Sequence, residues 1–235
     1  MVASESGATP ARKRTRRPRE QREREILAAA RRVFGERGFA SGSVAEIAAR
    51  AGVVEGTVYS YFDTKRSLLL RVVTDFYETL IRDVAVGLRA IRGAESRLRF
   101  LIARHVAVFV EDLGMCRLVL SEIRPDPALY GDAVEDLNRR YTSLAVEVIE
   151  AGMAAGELRA DLPPSLLRDL LYGGLEHALW RHVFSGADID APALAEALAD
   201  ALLGGALPRE TAGESTALRI ERAVTALERH AEVSA

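Results

Sequence analysis

Apolar residues recur at helical spacing along almost every long segment of this 235-residue chain, and the Val/Ile/Thr alternation of half-buried strands is absent. That periodicity predicts an all-α fold, because a helix with an apolar stripe must bury it against other helices. Residues 1–19 are polar, include Pro10 and Pro18, and place six basic residues between Arg12 and Arg19, the pattern of a flexible arm. From Glu20, the positions Ile26, Ala30, Val33 and Phe34 mark a first helix that Gly35 and Gly38 bring to a stop. Ser43-Val44-Ala45-Glu46 is a capping box in which Ser43 accepts from the backbone of Glu46 and Glu46 reaches back to Ser43. The helix it opens is short, since Gly52 follows Ile47, Ala48 and Ala51. A second short segment spans Glu55 to Phe62 and ends before Asp63, a good N-cap for a long helix striped by Leu69, Val73, Phe76, Leu80, Val84, Leu88 and Ile91.

Further along, Leu98, Ile102, His105 and Phe109 form one stripe, and a loop is expected around Pro125 and Pro127. A longer helix carries Leu137, Tyr141, Leu144 and Val148 and closes at Gly152 and Gly156. Pro163-Pro164 opens the next, with Leu167, Leu171, Gly174, Ala178 and His182 assigned to one face, and another spans Pro192 to Leu203. Residues 204–214 read as a linker before a last amphipathic segment bearing Ile220, Val224, Leu227 and Ala231. The expected divisions are an arm at 1–19, a helix-turn-helix domain at 20–66, a helical body at 67–204, and a linker with C-terminal helix at 205–235.

Composition narrows the function. The single cysteine, Cys116, rules out an intramolecular disulfide or a cysteine-based zinc site and is expected to act as a small buried hydrophobe. No apolar run reaches the roughly 18 residues of a membrane span, and no signal-peptide stretch follows the basic N-terminus, so a cytoplasmic protein without membrane contact is expected. The net charge of −2 is segregated: up to Arg66 there are 14 basic against 8 acidic residues, leaving 18 against 26 for the remainder. A basic leading segment on an acidic body suits a polyanion-binding head, and a solvated basic tail is the alternative. No Gly-rich phosphate loop, Gly-x-Ser-x-Gly elbow or His-Glu-x-x-His pair is present, so an enzyme is not expected. No cofactor is implied. His177 and His182, with Glu176 beside the first, do not share a helical face, and no metal site is expected.

The strongest signal is residues 43–65, SVAEIAARAGVVEGTVYSYFDTK, whose parts fit a helix-turn-helix. Ile47 and Ala48 face inward, Ala51 is small where two helices cross, and Gly52 supplies the tight turn that lets a second helix enter a major groove. With Val53 and Val58 turned to the core, Glu55, Gly56, Thr57, Tyr59, Ser60 and Tyr61 form the exposed set, and Ser43 precedes them at the cap.

These residues resemble the TetR family of bacterial transcriptional regulators. The resemblance rests on Phe34 and Gly38-Phe39, Ile47-Ala48, Ala51-Gly52-Val53, Gly56-Thr57-Val58-Tyr59, Tyr61-Phe62, and Lys65 followed by Leu68-Leu69. It covers Arg22 to about Arg71; beyond that it extends only to helix count and to Gly152, Gly156-Glu157-Leu158-Arg159 and Asp161-Leu162 as a helix end. It implies that Thr57 and Tyr59 contact DNA, Tyr59 chiefly at phosphate, that Lys65 holds a phosphate, and that Gly56 lets the backbone approach. Two positions depart from the pattern. Val54 stands where such proteins often place a polar cap. Glu55 puts an acid near phosphates, either to accept from a cytosine amino group or to favour its helix N-terminus. Arg14, Arg16 and Arg17 of the arm either enter a minor groove or screen phosphates.

The resemblance further implies a homodimer on a palindromic operator in double-stranded DNA, paired through residues 164–185 and 192–203, where Gly173-Gly174 permits close approach. A partly apolar small-molecule effector is implied among the middle helices, with Phe76, Tyr77, His105, Phe109, Tyr141, Glu176, His177 and Trp180 as candidate contacts, Trp180 alternatively anchoring the dimer. A repressor released by its effector is the expected function, with an activator or a sequence-indifferent basic DNA binder as alternatives.

Overall fold

The computed structural model describes residues 19–208. The arm residues Arg14, Arg16 and Arg17 and the C-terminal stripe of Ile220, Val224, Leu227 and Ala231 lie outside the described residues. Among those described, all regular structure is helical: α1 (Arg19–Ser41), α2 (Val44–Ala51), α3 (Glu55–Tyr59), α4 (Lys65–Arg89), α5 (Ala94–Glu111), α6 (Leu113–Leu118), a π-helical turn (Val119–Ile123), α7 (Pro127–Ala154), α8 (Pro164–Ser185) and α9 (Ala191–Ala206). They form two compact units, one built from residues up to Leu80 with Glu111–Asn138, the other from Ile81–Val110 and the residues from Arg139 onward. The first unit thus takes in more than residues 20–66, adding α6, the π-helical turn and parts of α4 and α7.

In the first unit, α1 buries Ile26, Leu27, Ala29, Ala30, Val33 and Phe34 and packs on α2 and α6. The helix passes through Gly35 and breaks only at Gly38, whose φ of 76° a residue with a Cβ rarely adopts. Gly35 instead lies where α6 approaches. A Cβ on Gly114 of α6 would lie 2.8 Å from the Gly35 carbonyl oxygen, so a glycine is required at 114 for the two backbones to meet, whereas a Cβ on Gly35 would find ordinary contact at 3.5 Å. Arg31 Nε donates to Asp112 Oδ2 at 2.8 Å, and the same carboxylate caps α6 by accepting from the Met115 N–H at 3.2 Å. The Glu122 carboxylate, in the π-helical turn, accepts the Phe39 N–H at 2.8 Å just past the Gly38 break. The sequence reading places only a loop here. The segment is too short for periodicity to register, and it is held by bonds to α1 that are about eighty residues distant in sequence.

The second unit is centred on the stripe of α5 that buries Leu98, Leu101, Ile102, His105, Val106 and Phe109. Its corner is the stretch after α7. The Glu157 and Leu158 N–H groups both donate to the Gly152 carbonyl, at 2.8 and 3.1 Å, with Gly156 at a φ of 73°. The Glu157 carboxylate accepts the Ala94 N–H that opens α5, while the Arg159 N–H donates to the Ala206 carbonyl at the end of α9, 2.9 Å away. Pro164 starts α8 as expected.

Two expectations for this unit change. The buried face of α8 is Leu167, Leu171, Tyr172, Leu175, Leu179 and Val183, whereas Gly174 is exposed and Ala178 and His182 are half-buried. The helix is rolled away from the face assigned to it, because both of its sides carry apolar residues and periodicity does not choose between them. α9 also continues through Gly204 and Gly205 to Ala206, residues expected to begin a linker, because Ala206 is fully buried and held by Arg159.

Substituting Gly114→Ala should destabilise the protein by about 1–3 kcal/mol despite alanine's higher helix propensity, because the added methyl meets backbone rather than a movable side chain. A denaturant titration followed by circular dichroism measures it.

Candidate nucleic-acid interface

Residues 43–62 fold as two short helices about a glycine turn. Ser43 Oγ accepts the Glu46 N–H at 3.1 Å, and Gly52, left-handed at φ 67°, ends α2 with its N–H directed at the Ala48 and Ala49 carbonyls. Only half of the capping box forms. The Glu46 carboxylate turns instead to Arg50 Nη2 at 2.6 Å, and Arg50 reaches Glu36 of α1 at 2.7 Å. The Arg50 hydrogen bond, aided by the charges of Arg50, Arg37 and Arg32, holds the Glu36 carboxyl below its ordinary 4.5 against the opposing desolvation. Together with the buried Ile47 and Ala48, this pairing fixes α2 to α1.

α3 is anchored by Val58, 1% exposed. Around it Glu55, Gly56, Tyr59 and Ser60 are exposed, and Thr57 and Tyr61 are half-buried. The regular helix ends at Tyr59, not at Phe62. Beyond it, the Tyr61 and Phe62 N–H groups both return to the Val58 carbonyl at 3.0 Å. Ser60 Oγ donates to the Thr57 carbonyl at 2.6 Å, and the Arg19 guanidinium lies over the Tyr61 ring, 5.5 Å from its centroid. Among the described residues nothing stands within 4 Å of where a Gly56 side chain would begin, so the backbone there is open. Val53, expected in the core, is half-buried. Val54 precedes α3 without a side-chain capping bond and is 73% exposed.

The N-cap of α4 is Thr64 rather than Asp63. Ser67 N–H donates to Thr64 Oγ1 at 2.9 Å and Thr64 N–H donates to Ser67 Oγ at 3.1 Å, a reciprocal pair that the Thr-x-x-Ser spacing could have announced. Lys65 then begins α4 with Nζ donating to the Ala40 carbonyl at 3.2 Å and lying 4.7 Å from the centre of the Phe39 ring. Sequence reasoning missed the support behind it: Glu122 holds Phe39, and Phe39 and Ala40 hold Lys65.

The candidate effector contacts separate. Phe76 and Tyr77 are buried in the first unit, where the Arg31 guanidinium lies 5.4 Å from the Phe76 ring centre. In the second unit His105, Phe109 and Tyr141 are brought together by α5 and α7, and α8 adds Tyr172, which the sequence did not single out. His105 Nδ1 is 2.8 Å from Tyr141 Oη, and the His105 ring lies 5.2 Å from both Phe109 and Tyr172. Glu176 is half-buried, His177 is exposed and Trp180 is 56% exposed, so the last two do not join this cluster. His182 Nδ1 bonds the Ala187 carbonyl at 2.8 Å. Cys116 is buried. Among the described residues no group of three or more His, Cys, Asp or Glu is placed to hold a metal ion, and no helix is long and apolar enough to cross a membrane.

Two family descriptions match the chain: "Bacterial regulatory proteins, tetR family" over residues 26–72 and "Tetracyclin repressor-like, C-terminal domain" over residues 92–205. The transcriptional activator FasR of Mycolicibacterium smegmatis is 36% identical over 158 residues, 61% of this chain and 72% of that protein. The chain belongs to the TetR family. This TetR-family protein is a DNA-binding transcriptional regulator. The Fatty acid metabolism regulator protein of Bacillus subtilis is 23% identical over 181 residues, 77% of this chain and 93% of that one. A crystal structure of the transcriptional regulator FadR from Bacillus subtilis in complex with stearoyl-CoA superposes with a TM-score of 0.72 and 23% identity over 77% of this chain and 98% of that chain. A regulator from Saccharomonospora viridis in complex with choline gives a TM-score of 0.73 at 19% identity over 81% of this chain and 100% of that chain. At these identities the superpositions establish the fold.

Removing the cap of α4 by Thr64→Ala should lower stability by about 1 kcal/mol, whereas Asp63→Ala should change it by less than half as much; thermal melts of the two variants compare them directly. Because the Glu36 carboxyl is held low in the folded protein, its contribution is present above pH 4.5 and disappears as the pH falls through the lowered value. The fall in melting temperature with acid should therefore be shallower in Glu36→Gln.

Proposed function

We propose that this regulator is a homodimeric repressor that binds a palindromic operator and is released by a small, largely apolar effector. The observation that carries the reading is the exposed face of α3, positioned by one buried residue, Val58, and a glycine turn. Such a face suits a helix laid in a major groove. Thr57, Tyr59 and the open backbone at Gly56 contact DNA, Tyr59 chiefly at phosphate, with Ser43, Glu55, Ser60 and Tyr61 at the rim. Lys65 swings from the Ala40 carbonyl to a phosphate. The arm residues Arg14, Arg16 and Arg17 add electrostatic affinity.

Dimerisation is supported by the outer side of α8. Leu166, Leu170, Trp180 and Phe184 are 43%, 55%, 56% and 37% exposed. With Gly173 and His177 they make a stripe at alternating spacings of four and three, on the side opposite the buried face. On α9 the exposed Ala193, Ala197, Ala201 and Gly204 offer a small-residue face. Two copies joined through these surfaces form a four-helix bundle and set a pair of α3 helices to a two-fold symmetric operator.

The effector binds at the buried aromatic cluster of α5, α7 and α8, and Phe76 and Tyr77 stand on α4, which has residues in both units. A relative crystallised with stearoyl-CoA supports an effector with a long apolar body. Relatives named as repressors, such as KstR2 of Rhodococcus jostii, 29% identical over 153 residues, support repression. Activation is the second reading, favoured by the 36% identity to FasR. The protein acts in the cytoplasm, where bacterial DNA lies, and performs no catalysis.

Selection of bound duplexes from a random pool tests the proposal. An inverted repeat with half-sites about 34–36 Å apart is expected. Lys65→Ala should weaken binding uniformly and lower the salt slope by about one, and Leu170→Glu should abolish the repeat by separating the protomers. Enrichment of no sequence, with affinity that fades only with salt, would show a non-specific binder.

A further inference from the structure

The aromatic cluster of the second unit buries a hydroxyl that lacks a hydrogen bond of normal geometry. Tyr172 is 8% exposed, and its hydroxyl oxygen, shielded from solvent, makes no hydrogen bond of normal geometry. Its ring packs edge-on against His105 at 5.2 Å and tilted against Tyr141 at 5.5 Å, beside the pair in which His105 Nδ1 and Tyr141 Oη meet at 2.8 Å. Burying a hydroxyl without a partner costs free energy that phenylalanine in the same rotamer would avoid.

The surroundings define what would complete it. Among the described residues His105 is the one buried side chain of polar or charged type outside the tyrosines, so no buried carboxylate, ammonium or guanidinium stands ready to neutralise an ionised ligand group. The His105–Tyr141 contact uses one proton between two atoms, whichever of them donates. The Tyr172 proton is not needed for it and is available as a donor. Burial pushes the Tyr172 phenol up, partly offset by the Tyr141 hydroxyl, so that proton is retained throughout the physiological range.

We propose that His105, Tyr141 and Tyr172 form the recognition point for a neutral effector group bearing a hydrogen-bond acceptor, a carbonyl or ester oxygen, with Tyr172 Oη as its dedicated donor. This rests on the reading that the effector binds in the second unit, and it adds the chemical class: an apolar body whose buried polar group is uncharged. An ionised carboxylate at the same depth is disfavoured because, apart from the imidazole of His105, no basic side chain among the described residues is buried beside it to offset its desolvation.

The test uses the full-length protein with methyl decanoate and decanoate as probes, in calorimetric titrations and thermal melts, with Tyr172→Phe and Tyr141→Phe variants. Without ligand, Tyr172→Phe should melt at or above the wild-type temperature, and Tyr141→Phe, which removes the bond to His105, below it. The wild type should bind the ester in preference to the carboxylate, and Tyr172→Phe should lose roughly tenfold in ester affinity, a change of about 1.4 kcal/mol. A lowered melting temperature in Tyr172→Phe would show that the hydroxyl is structural and overturn the proposal. So would ester binding unaffected by the substitution, a preference for decanoate, or no ester binding by the wild type. Ester binding that depends on Tyr172 yet leaves operator affinity unchanged would support the recognition point and overturn its role as the effector switch.

Discussion

The first unit depends on a contact between two glycines. Gly114, whose Cβ would lie 2.8 Å from the Gly35 carbonyl oxygen, lets the backbones of α1 and α6 meet. Around that contact Arg31 and Asp112 form an ion pair, and Glu122 takes the Phe39 N–H beyond the Gly38 break. Each bond is modest alone, but they share one geometry and so reinforce one another. Their product is a fixed position for the residues that meet Lys65 at the start of α4.

From that frame the recognition segment follows. α2 is clamped to α1 by its buried Ile47 and Ala48 and by Arg50, and the Gly52 turn then sets the direction of α3. A helix of five residues has too few internal hydrogen bonds to be stable alone. It exists because Val58 is buried and because the segments on both sides are held. The exposed side of α3 includes Gly56, with open space before it among the described residues.

α8 presents two different faces. Its inner face supplies Leu167, Leu171 and Leu175 to the core and Tyr172 to the aromatic cluster, while its outer stripe leaves Leu170 and Trp180 in water. Large apolar residues in such a row mark a surface built for a partner. One helix thereby serves both the buried cluster proposed for the effector and the surface proposed for the symmetry mate.

Much of this was legible in the chain. Helical periodicity gave the all-α class, and Ser43, Gly52 and Val58 marked the turn and the inward anchor, because caps, left-handed glycines and single-face stripes are local properties that neighbours within a few residues dictate. Other features depended on partners far along the chain. Gly35 reads as a helix stop until Gly114 stands against it, Asp63 competes with Thr64 for a cap that only the start of α4 awards, and the doubly apolar α8 has no preferred face until α9 and the core take one. Tyr172 was invisible for the same reason: which hydroxyls are buried, and which of them lack a bond, depends on atoms that only packing brings within reach. The sequence by itself determined the long helices, the glycine turn and the apolar or polar character of their faces. The tertiary structure decided which surface is buried, because burial is a property of pairs of segments and no segment carries it alone.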